Sequence, residues 1–301
     1  MFKIFKALRQ NSEKQKLKSK EMKLIENLLD VKNDYVFKRL FGHEGNEDIT
    51  IDLLKSITNE KITDIELDCN PITEKDIFDD KVGILDIRAK LNGNVNCDIE
   101  MQVVDRKNVE KRILFYWSKM YTGSIKQGID YKELKKGIVV LIVDYNLEKL
   151  KKITKFMTKW NIREEENPKV ILTDDLEFYI IELEKVKKMQ GNSVLKSWVE
   201  FIKNPKVVSS MENNEIKKAR EELEKISKDK HERYLAELRQ KYIMDQKAIQ
   251  DFGYDKGLQQ GIEKGEKRKS KEIAKRLKEL RVETDVIADS TGLSKEEIEN
   301  L

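Results

Sequence analysis

Two acidic residues, Asp86 and Glu100, are spaced so that their carboxylates could act on the same ion or substrate. The segments around them alternate apolar and polar residues with a period of two, which is typical of half-buried strands. A two-residue turn would put the two apolar sets on opposite faces, whereas a three-residue loop over residues 92–94 pairs Leu91 with Val95 and keeps them together. That register sets Asp86 directly opposite Glu100, with Cβ atoms about 4.5–5.5 Å apart.

Facing carboxylates repel each other unless one is protonated or a cation lies between them. In the same register Arg88 falls opposite Asp98 and neutralises it, while Ile84 falls opposite Gln102. No basic side chain of these two strands therefore neutralises Asp86 and Glu100. A hard divalent cation such as Mg²⁺, which prefers oxygen ligands, is the natural occupant. The alternative is an exposed face whose acids are balanced by side chains from elsewhere, and for an isolated acidic pair that alternative is favoured.

The composition limits the classes of function. The chain has 301 residues, enough for one domain plus a second unit, and 39% of them are charged. Its net charge is +4 from 60 basic and 56 acidic residues, so any grip on nucleic acid must come from local patches. The two histidines, His43 and His231, lie far apart in the sequence. An HNH nuclease, an HD phosphohydrolase and a Ser-His-Asp triad are therefore not expected.

Other features concern the compartment. Cys69 and Cys97 lie in strand-like segments and are interpreted as buried thiols in a reducing, cytoplasmic environment. No apolar run reaches the length of a membrane span, since the best one, residues 138–143, has the length of a strand. Residues 1–23 are basic and lack the apolar core of a secretion signal. We expect a flexible tail there, and the alternative is a short amphipathic helix on DNA or an anionic membrane.

The pattern formed by Asp86, Glu100 and Gln102 on a hairpin resembles the metal site of the PD-(D/E)XK nuclease superfamily, in which Glu-X-Lys or Glu-X-Gln follows an Asp. The wider sequence is similar to one branch, the Rpn recombination-promoting nucleases, also described as PD-(D/E)XK family transposases. The matching stretches span most of the chain from about Leu28 onward, and they are residues 32–42, 79–102, 112–121, 127–131 and 287–294.

This resemblance implies a metal-dependent DNA endonuclease that acts in recombination or transposition, with DNA as substrate and Mg²⁺ or Mn²⁺ as cofactor. Asp86 and Glu100 would be the metal ligands, with the Met101 carbonyl as a third. Gln102 would orient a water molecule bound to that metal. Most of the superfamily has Lys at this position and the Rpn branch has Gln, so Gln102 is compatible with activity but brings no positive charge.

Three residues are accessory candidates: Asp34, Arg112 and Tyr116. Arg112 and Tyr116 share a helix face at a spacing of four, and they could contact phosphate or support the hairpin. Arg112 or Lys119 could also supply the positive charge that Gln102 lacks. Asp34 could enter the outer metal shell, although an N-cap for the helix that follows is favoured.

The fold class that we expect is α/β, a restriction-endonuclease-like core of a mixed sheet flanked by helices, with an all-helical C-terminal extension. The predicted elements follow the order α-β-β-β-α-β of such a core. They are helices within 24–59, strands at 62–67, 80–91 and 95–102, a long helix at 112–134, and strands at 137–145 and 176–183. The predicted domains are a tail at 1–23, the nuclease-like domain at 24–187, a helical extension at 188–250 and a small helical unit at 251–301.

The C-terminal third has few chemical groups and a strong helical pattern. Residues 193–202 carry an apolar stripe for packing, and residues 216–247 predict one long charged helix whose apolar positions could support a homo-oligomer. Four glycines, spaced four apart from Gly253 to Gly265, predict a loosely helical connector. Residues 272–301 predict two or three short helices, with a capping box at Ser294 to Glu297 and a turn similar to helix-turn-helix proteins. Because the last helix is acidic, a packing role is favoured there.

Two alternatives to the enzyme remain: an inactive transposon-associated DNA-binding protein and an oligomerisation scaffold.

Overall fold

A computed structural model of the chain describes residues 26–69, 86–105, 107–188, 193–206 and 213–301. The predicted basic tail, the part of the hairpin strand before Asp86 and the pairing of Ile84 with Gln102 lie outside the described residues. The chain divides into two compact units, Met1–Ile243 and Met244–Leu301.

The first unit is built on a six-stranded mixed sheet. Its strands are β1 (Ile65–Leu67), β2 (Ile87–Leu91), β3 (Val95–Gln102), β4 (Lys136–Val143), β5 (Met157–Trp160) and β6 (Leu176–Glu182). Their order is β1-β2-β3-β4-β6-β5, with parallel pairs at β3/β4 and β4/β6 and antiparallel pairs elsewhere. Strand β5 was not predicted, because this short edge strand buries neither of its last two residues and so shows no clear alternation.

Helices occupy both faces of this sheet and all of the C-terminal third that the structure describes. They are α1 (Asp34–Phe41), α2 (Glu47–Thr58), α3 (Val109–Gly123), α4 (Val194–Lys203), α5 (Asn214–Lys228), α6 (Lys230–Glu279), α7 (Thr284–Thr291) and α8 (Lys295–Glu299). The order of helices and strands confirms the expected α/β class, a mixed sheet flanked by helices with a helical C-terminal region.

The hairpin of β2 and β3 has the predicted register, with Leu91 paired to Val95 across a three-residue loop. Two loop residues, Asn92 at φ 47° and Gly93 at φ 71°, adopt the left-handed region that Asn and Gly tolerate best. The Asn92 side chain fixes the loop. Its oxygen accepts from the Thr63 N–H at 2.9 Å, and its amide N–H donates to the Lys61 carbonyl at 2.8 Å. The face of the sheet on which each hairpin side chain begins follows from this register.

The two faces of β3 carry different chemistry. Cys97, Ile99 and Met101 point into the larger hydrophobic core, which they share with α1, α2, α4 and α5. The alternate residues of β3 lie on the opposite face, where α3 packs against β4 through Val109 and Ile113. Because α3 covers β4 more than β2, the polar face of the hairpin remains partly open. Cys69 differs from Cys97, since it follows β1 and is exposed, so its predicted burial was wrong.

Helix α3 is shorter than the predicted span of 112–134. It begins at Val109 and ends at Gly123, and the chain beyond it turns through Gly128 at φ +86°, which no continuous helix allows. Near its end the Trp117 indole N–H donates to the Gly137 carbonyl of β4 at 3.1 Å. This contact holds the last turns of α3 on the sheet.

The charged region 216–247 is not one helix, so that prediction was wrong. Asp229 interrupts it with an extended backbone, φ −71° and ψ 128°, and its carboxylate accepts from the N–H groups of His231 and Glu232. An Asp in this position caps the start of α6. Helix α6 then continues through all four spaced glycines, so the loosely helical connector was also wrong.

The second unit contains the end of α6 together with α7 and α8. Its apolar cluster is Ala274, Ile287, Leu293 and Ile298. The predicted capping box is confirmed, since Ser294 and Glu297 each accept from the other's backbone N–H, at 3.2 Å in both directions. Among the described residues no helix is both long and apolar enough to cross a membrane.

Candidate metal site

Three carboxylates converge at the open face of the hairpin. Asp86 lies directly before β2, and Asp98 and Glu100 lie on β3, two residues apart and therefore on the same face. One oxygen of each side chain lies within 4.8 Å of the others. Their residues are 6%, 3% and 0% exposed, in that order. The spacing brings Asp86 and Glu100 together as predicted and adds a third acid.

Asp98 was assigned to the wrong environment by the sequence. The ladder pairs Asp98 with Arg88 as expected, but within the described part of the chain these two side chains form no ion pair. Arg88 is exposed whereas Asp98 is buried, so the arginine lowers the pKa of that carboxyl by its charge without pairing with it, and Asp98 joins the acid cluster. The period of two already placed Asp98 on the face of Glu100, and this was the signal that could have identified it.

Each of the three acids leaves one oxygen without a hydrogen bond. In these three residues the buried atoms without a partner are Asp86 Oδ2, Asp98 Oδ1 and Glu100 Oε1. A buried acceptor without a partner is costly, and three of them in neighbouring side chains are rare in a folded protein. Hard divalent cations are bound by carboxylate oxygens, so this donor set fits such an ion.

Burial also perturbs the acidity of the three groups. It raises the pKa of Asp86 to about 6 and that of Asp98 to about 8, the latter with a further contribution from the charge of Asp86. Burial and then the charge of Asp86 hold the pKa of Glu100 well above its ordinary range. Burial therefore shifts all three acids toward their protonated forms, whereas a bound cation would favour their ionised forms.

Arg112 of α3 partly offsets this negative charge. Its Nε donates to Glu100 Oε2 at 3.2 Å, and Nη2 lies 4.0 Å from Asp86 Oδ1. The guanidinium carbon stands 5.1 Å from the centre of the Tyr116 ring, so the helix face predicted from the spacing of four does orient the arginine. The charges of Arg88 and Lys38 also act on Asp86 and Asp98, but burial outweighs all three cations, since both pKa values stay raised.

Gln102 lies beside the same oxygen. Its Nε2 is 3.4 Å from Glu100 Oε2, the atom that Arg112 also contacts, and the residue is half-buried. The end of β3 and helix α3 thus place an amide and a guanidinium around one carboxylate oxygen. An amide there can hold a water molecule by hydrogen bonding, whereas only the guanidinium supplies charge.

Asp34 has a different partner from the one expected. The N-cap of α1 is Asn33, whose side-chain oxygen accepts from the Tyr35 N–H at 3.1 Å, so the predicted Asp34 cap was wrong. The Asp34 carboxylate instead binds Arg239 of α6 through Nε at 2.8 Å and Nη2 at 2.6 Å. Its charge still helps to raise the pKa of Asp86, after burial itself. A sequence separation of 205 residues gave no local signal for this pair.

Comparison with known proteins identifies the family of this chain. Residues 31–252 match the model of a family described as PD-(D/E)XK nuclease family transposase. The matched range covers more than half of the chain and contains the three carboxylates together with Gln102 and Arg112. No curated protein and no solved structure matches the chain.

Proposed function

Because the chain belongs to the PD-(D/E)XK nuclease family transposases, we propose that it hydrolyses phosphodiester bonds of DNA with the help of Mg²⁺ or Mn²⁺. The observation that supports this most is the cluster of Asp86, Asp98 and Glu100, each with one buried oxygen that lacks a partner. Such a cluster is unfavourable for the protein alone and suits a divalent ion.

Asp86 and Glu100 would hold the ion, and Asp98 stands close enough to join them. A divalent ion bound there would act as a Lewis acid, lowering the pKa of an attacking water and offsetting charge on the phosphate. The buried setting strengthens every charge interaction at the site, because the effective dielectric constant is lower than in water.

Gln102 and Arg112 would share the work that a lysine performs in most of the superfamily. Both approach Glu100 Oε2, at 3.4 Å and 3.2 Å. The Gln102 amide would orient the water by hydrogen bonding. The Arg112 guanidinium would bring positive charge to the phosphate, and Tyr116 beneath it limits its orientation.

The family description supports a role in the movement of DNA. We place the protein with the Rpn-type nucleases, acting in recombination or transposition with little preference for sequence. DNA is the proposed partner, in the cytoplasm.

Incubation of supercoiled plasmid with the purified chain tests this proposal. We expect nicked and linear DNA with Mg²⁺ or Mn²⁺, and intact plasmid with EDTA. Retention of DNA in a gel without cleavage would indicate a DNA-binding protein instead. Neither binding nor cleavage, together with assembly that depends on protein concentration, would favour the scaffold.

Gln102→Ala is expected to slow cleavage by about 10- to 100-fold and to leave Mg²⁺ affinity nearly unchanged, because the amide orients water and does not bind the ion. Cleavage rates and calorimetric titration with Mg²⁺ measure the two effects. Gln259→Ala, at an exposed glutamine of α6, is the matched control. Loss of Mg²⁺ binding in Gln102→Ala would contradict the assigned role.

Arg112→Met is expected to reduce cleavage by about 100-fold, because this is the usual effect of removing one group that stabilises charge in a transition state. Mg²⁺ affinity should hold or increase, since Arg112 is the one cation among the described residues within ion-pair distance of the cluster and competes with the metal. Lys111→Met, at an exposed position of the same helix, controls for lost charge. Parallel losses of Mg²⁺ affinity and cleavage would show that Arg112 only supports the hairpin.

A further inference from the structure

A cleft of about 410 Å³ opens beside Asp98, between α3 and the open face of β2 and β3. We call it the basic cleft, because four cations line it: Arg88, Lys90, Lys119 and Lys135. Arg88 and Lys90 are on β2, Lys119 is on α3, and Lys135 directly precedes β4. Three separate parts of the fold thus bring positive charge to one place.

Among the residues that the structure describes, none of these four cations forms an ion pair, although the charge of Arg88 lowers the pKa of Asp98 and of Asp86. Their neighbour Lys136 shows the usual arrangement, since its ammonium pairs with Glu60 at 3.0 Å and with Glu177 at 3.1 Å. The chain as a whole is nearly balanced, with a net charge of +4. A group of unpaired cations in one cleft is therefore a local feature, and it attracts polyanions.

The basic cleft is continuous with the metal site. Asp98 belongs to both, and Tyr116 lines the cleft while its ring packs under Arg112. An anionic chain bound along the four cations would therefore reach the acid cluster at the Asp98 end. The volume of the cleft suits the backbone of one strand rather than both strands of a duplex.

We propose that the basic cleft binds consecutive phosphates of a single DNA strand and leads that strand to the acid cluster. This inference rests on the proposed nuclease function and adds the residues that position the substrate. Lys119 and Arg88, which are exposed, would contact phosphates from opposite walls, and the half-buried Lys90 and Lys135 would contact them from deeper in the cleft. Contacts of this kind give affinity without sequence preference.

The test measures binding separately from cleavage. A fluorescein-labelled single-stranded oligonucleotide is titrated with the chain in EDTA, and anisotropy is recorded at several salt concentrations. For Lys119→Ala/Lys135→Ala we expect affinity to fall on the order of tenfold at low salt. The slope of log affinity against log salt should decrease by about 1.4, which is two contacts at about 0.7 each for single strands.

Two further variants control the result. Lys217→Ala removes an exposed lysine from α5, whose helix packs on the other face of the sheet, and should bind like wild type. Lys119→Arg/Lys135→Arg keeps both charges and should restore affinity and slope. Arg88→Ala, on the other wall, gives an independent test should the double variant fold poorly, which its thermal melting curve would reveal.

Wild-type affinity and an unchanged salt slope in both Lys119→Ala/Lys135→Ala and Arg88→Ala would overturn the inference, and so would an equal loss in Lys217→Ala. Wild-type protein that does not bind the oligonucleotide would overturn it as well. Plasmid cleavage separates the two proposals. If the wild type cleaves plasmid and the cleft variants bind the oligonucleotide normally, only the proposal for the basic cleft is overturned. If the wild type does not cleave and the cleft variants bind the oligonucleotide more weakly, only the nuclease proposal is overturned.

Discussion

Asp86→Asn and Glu100→Gln are each expected to lower plasmid cleavage at least about a thousandfold, the largest effect predicted for this protein. Both substitutions keep the size of the side chain and remove the negative charge that a divalent ion needs. Glu100 is fully buried and Asp86 nearly so, so no water-exposed group replaces the lost ligand. Initial rates of plasmid nicking at saturating Mg²⁺ measure the effect.

The fold should survive both changes. Each removes one buried acid from a cluster whose members repel each other when ionised, so the metal-free melting temperature is expected to hold or rise. Asp174→Asn, at an exposed aspartate outside the site, should leave both activity and melting temperature unchanged. Wild-type cleavage by Asp86→Asn or Glu100→Gln would remove the basis of the nuclease proposal. Unfolding of both variants would show that the acids serve structure instead.

The second large effect is a dependence of Mg²⁺ affinity on pH. The ion binds ionised carboxylates, and burial raises the pKa of Asp98 to about 8 and that of Asp86 to about 6. The proton that must leave Asp98 makes affinity rise about tenfold per pH unit between pH 6 and pH 8, and any proton that Glu100 still holds, since its pKa is also raised, makes the rise steeper. Calorimetric titration in two buffers with different enthalpies of ionisation measures both the affinity and the number of protons released.

The same shifts fix the sign of the effect on stability. Because the folded-state pKa values of Asp86 and Asp98 lie above the ordinary value of 3.8, the folded protein holds protons that the unfolded chain releases. Metal-free stability should thus fall as pH rises from about 4 through about 8, and added Mg²⁺ should restore it most at high pH. Melting temperatures recorded across this pH range, once with EDTA and once with Mg²⁺, measure the effect.

Asp98→Asn is the matched control for the pH dependence. It removes the carboxyl with the pKa of about 8, so the rise in Mg²⁺ affinity with pH should become shallower and fewer protons should be released. An affinity that does not change between pH 6 and pH 8 in the wild type would contradict the picture of a buried, partly protonated cluster.

The sequence by itself determined the hairpin and the two acids that face each other on it. Alternation with a period of two and a three-residue loop are local signals, so the pairing of Leu91 with Val95 could be deduced without any distant contact. The order of helices and strands and the Ser294 capping box were recognisable for the same reason, whereas the mixed sheet was expected from the resemblance to PD-(D/E)XK nucleases.

Only the tertiary structure decided how the cluster is charged. Asp98 joined the acids because its ladder partner Arg88 is exposed, and Arg112 reached Glu100 because α3 packs on the same face of the sheet. Asp34 pairs with Arg239 of α6, which lies 205 residues later in the sequence. Pairing in a ladder fixes where a side chain begins, but the end of a long arginine depends on burial and on packing between elements far apart in sequence, which no local pattern records.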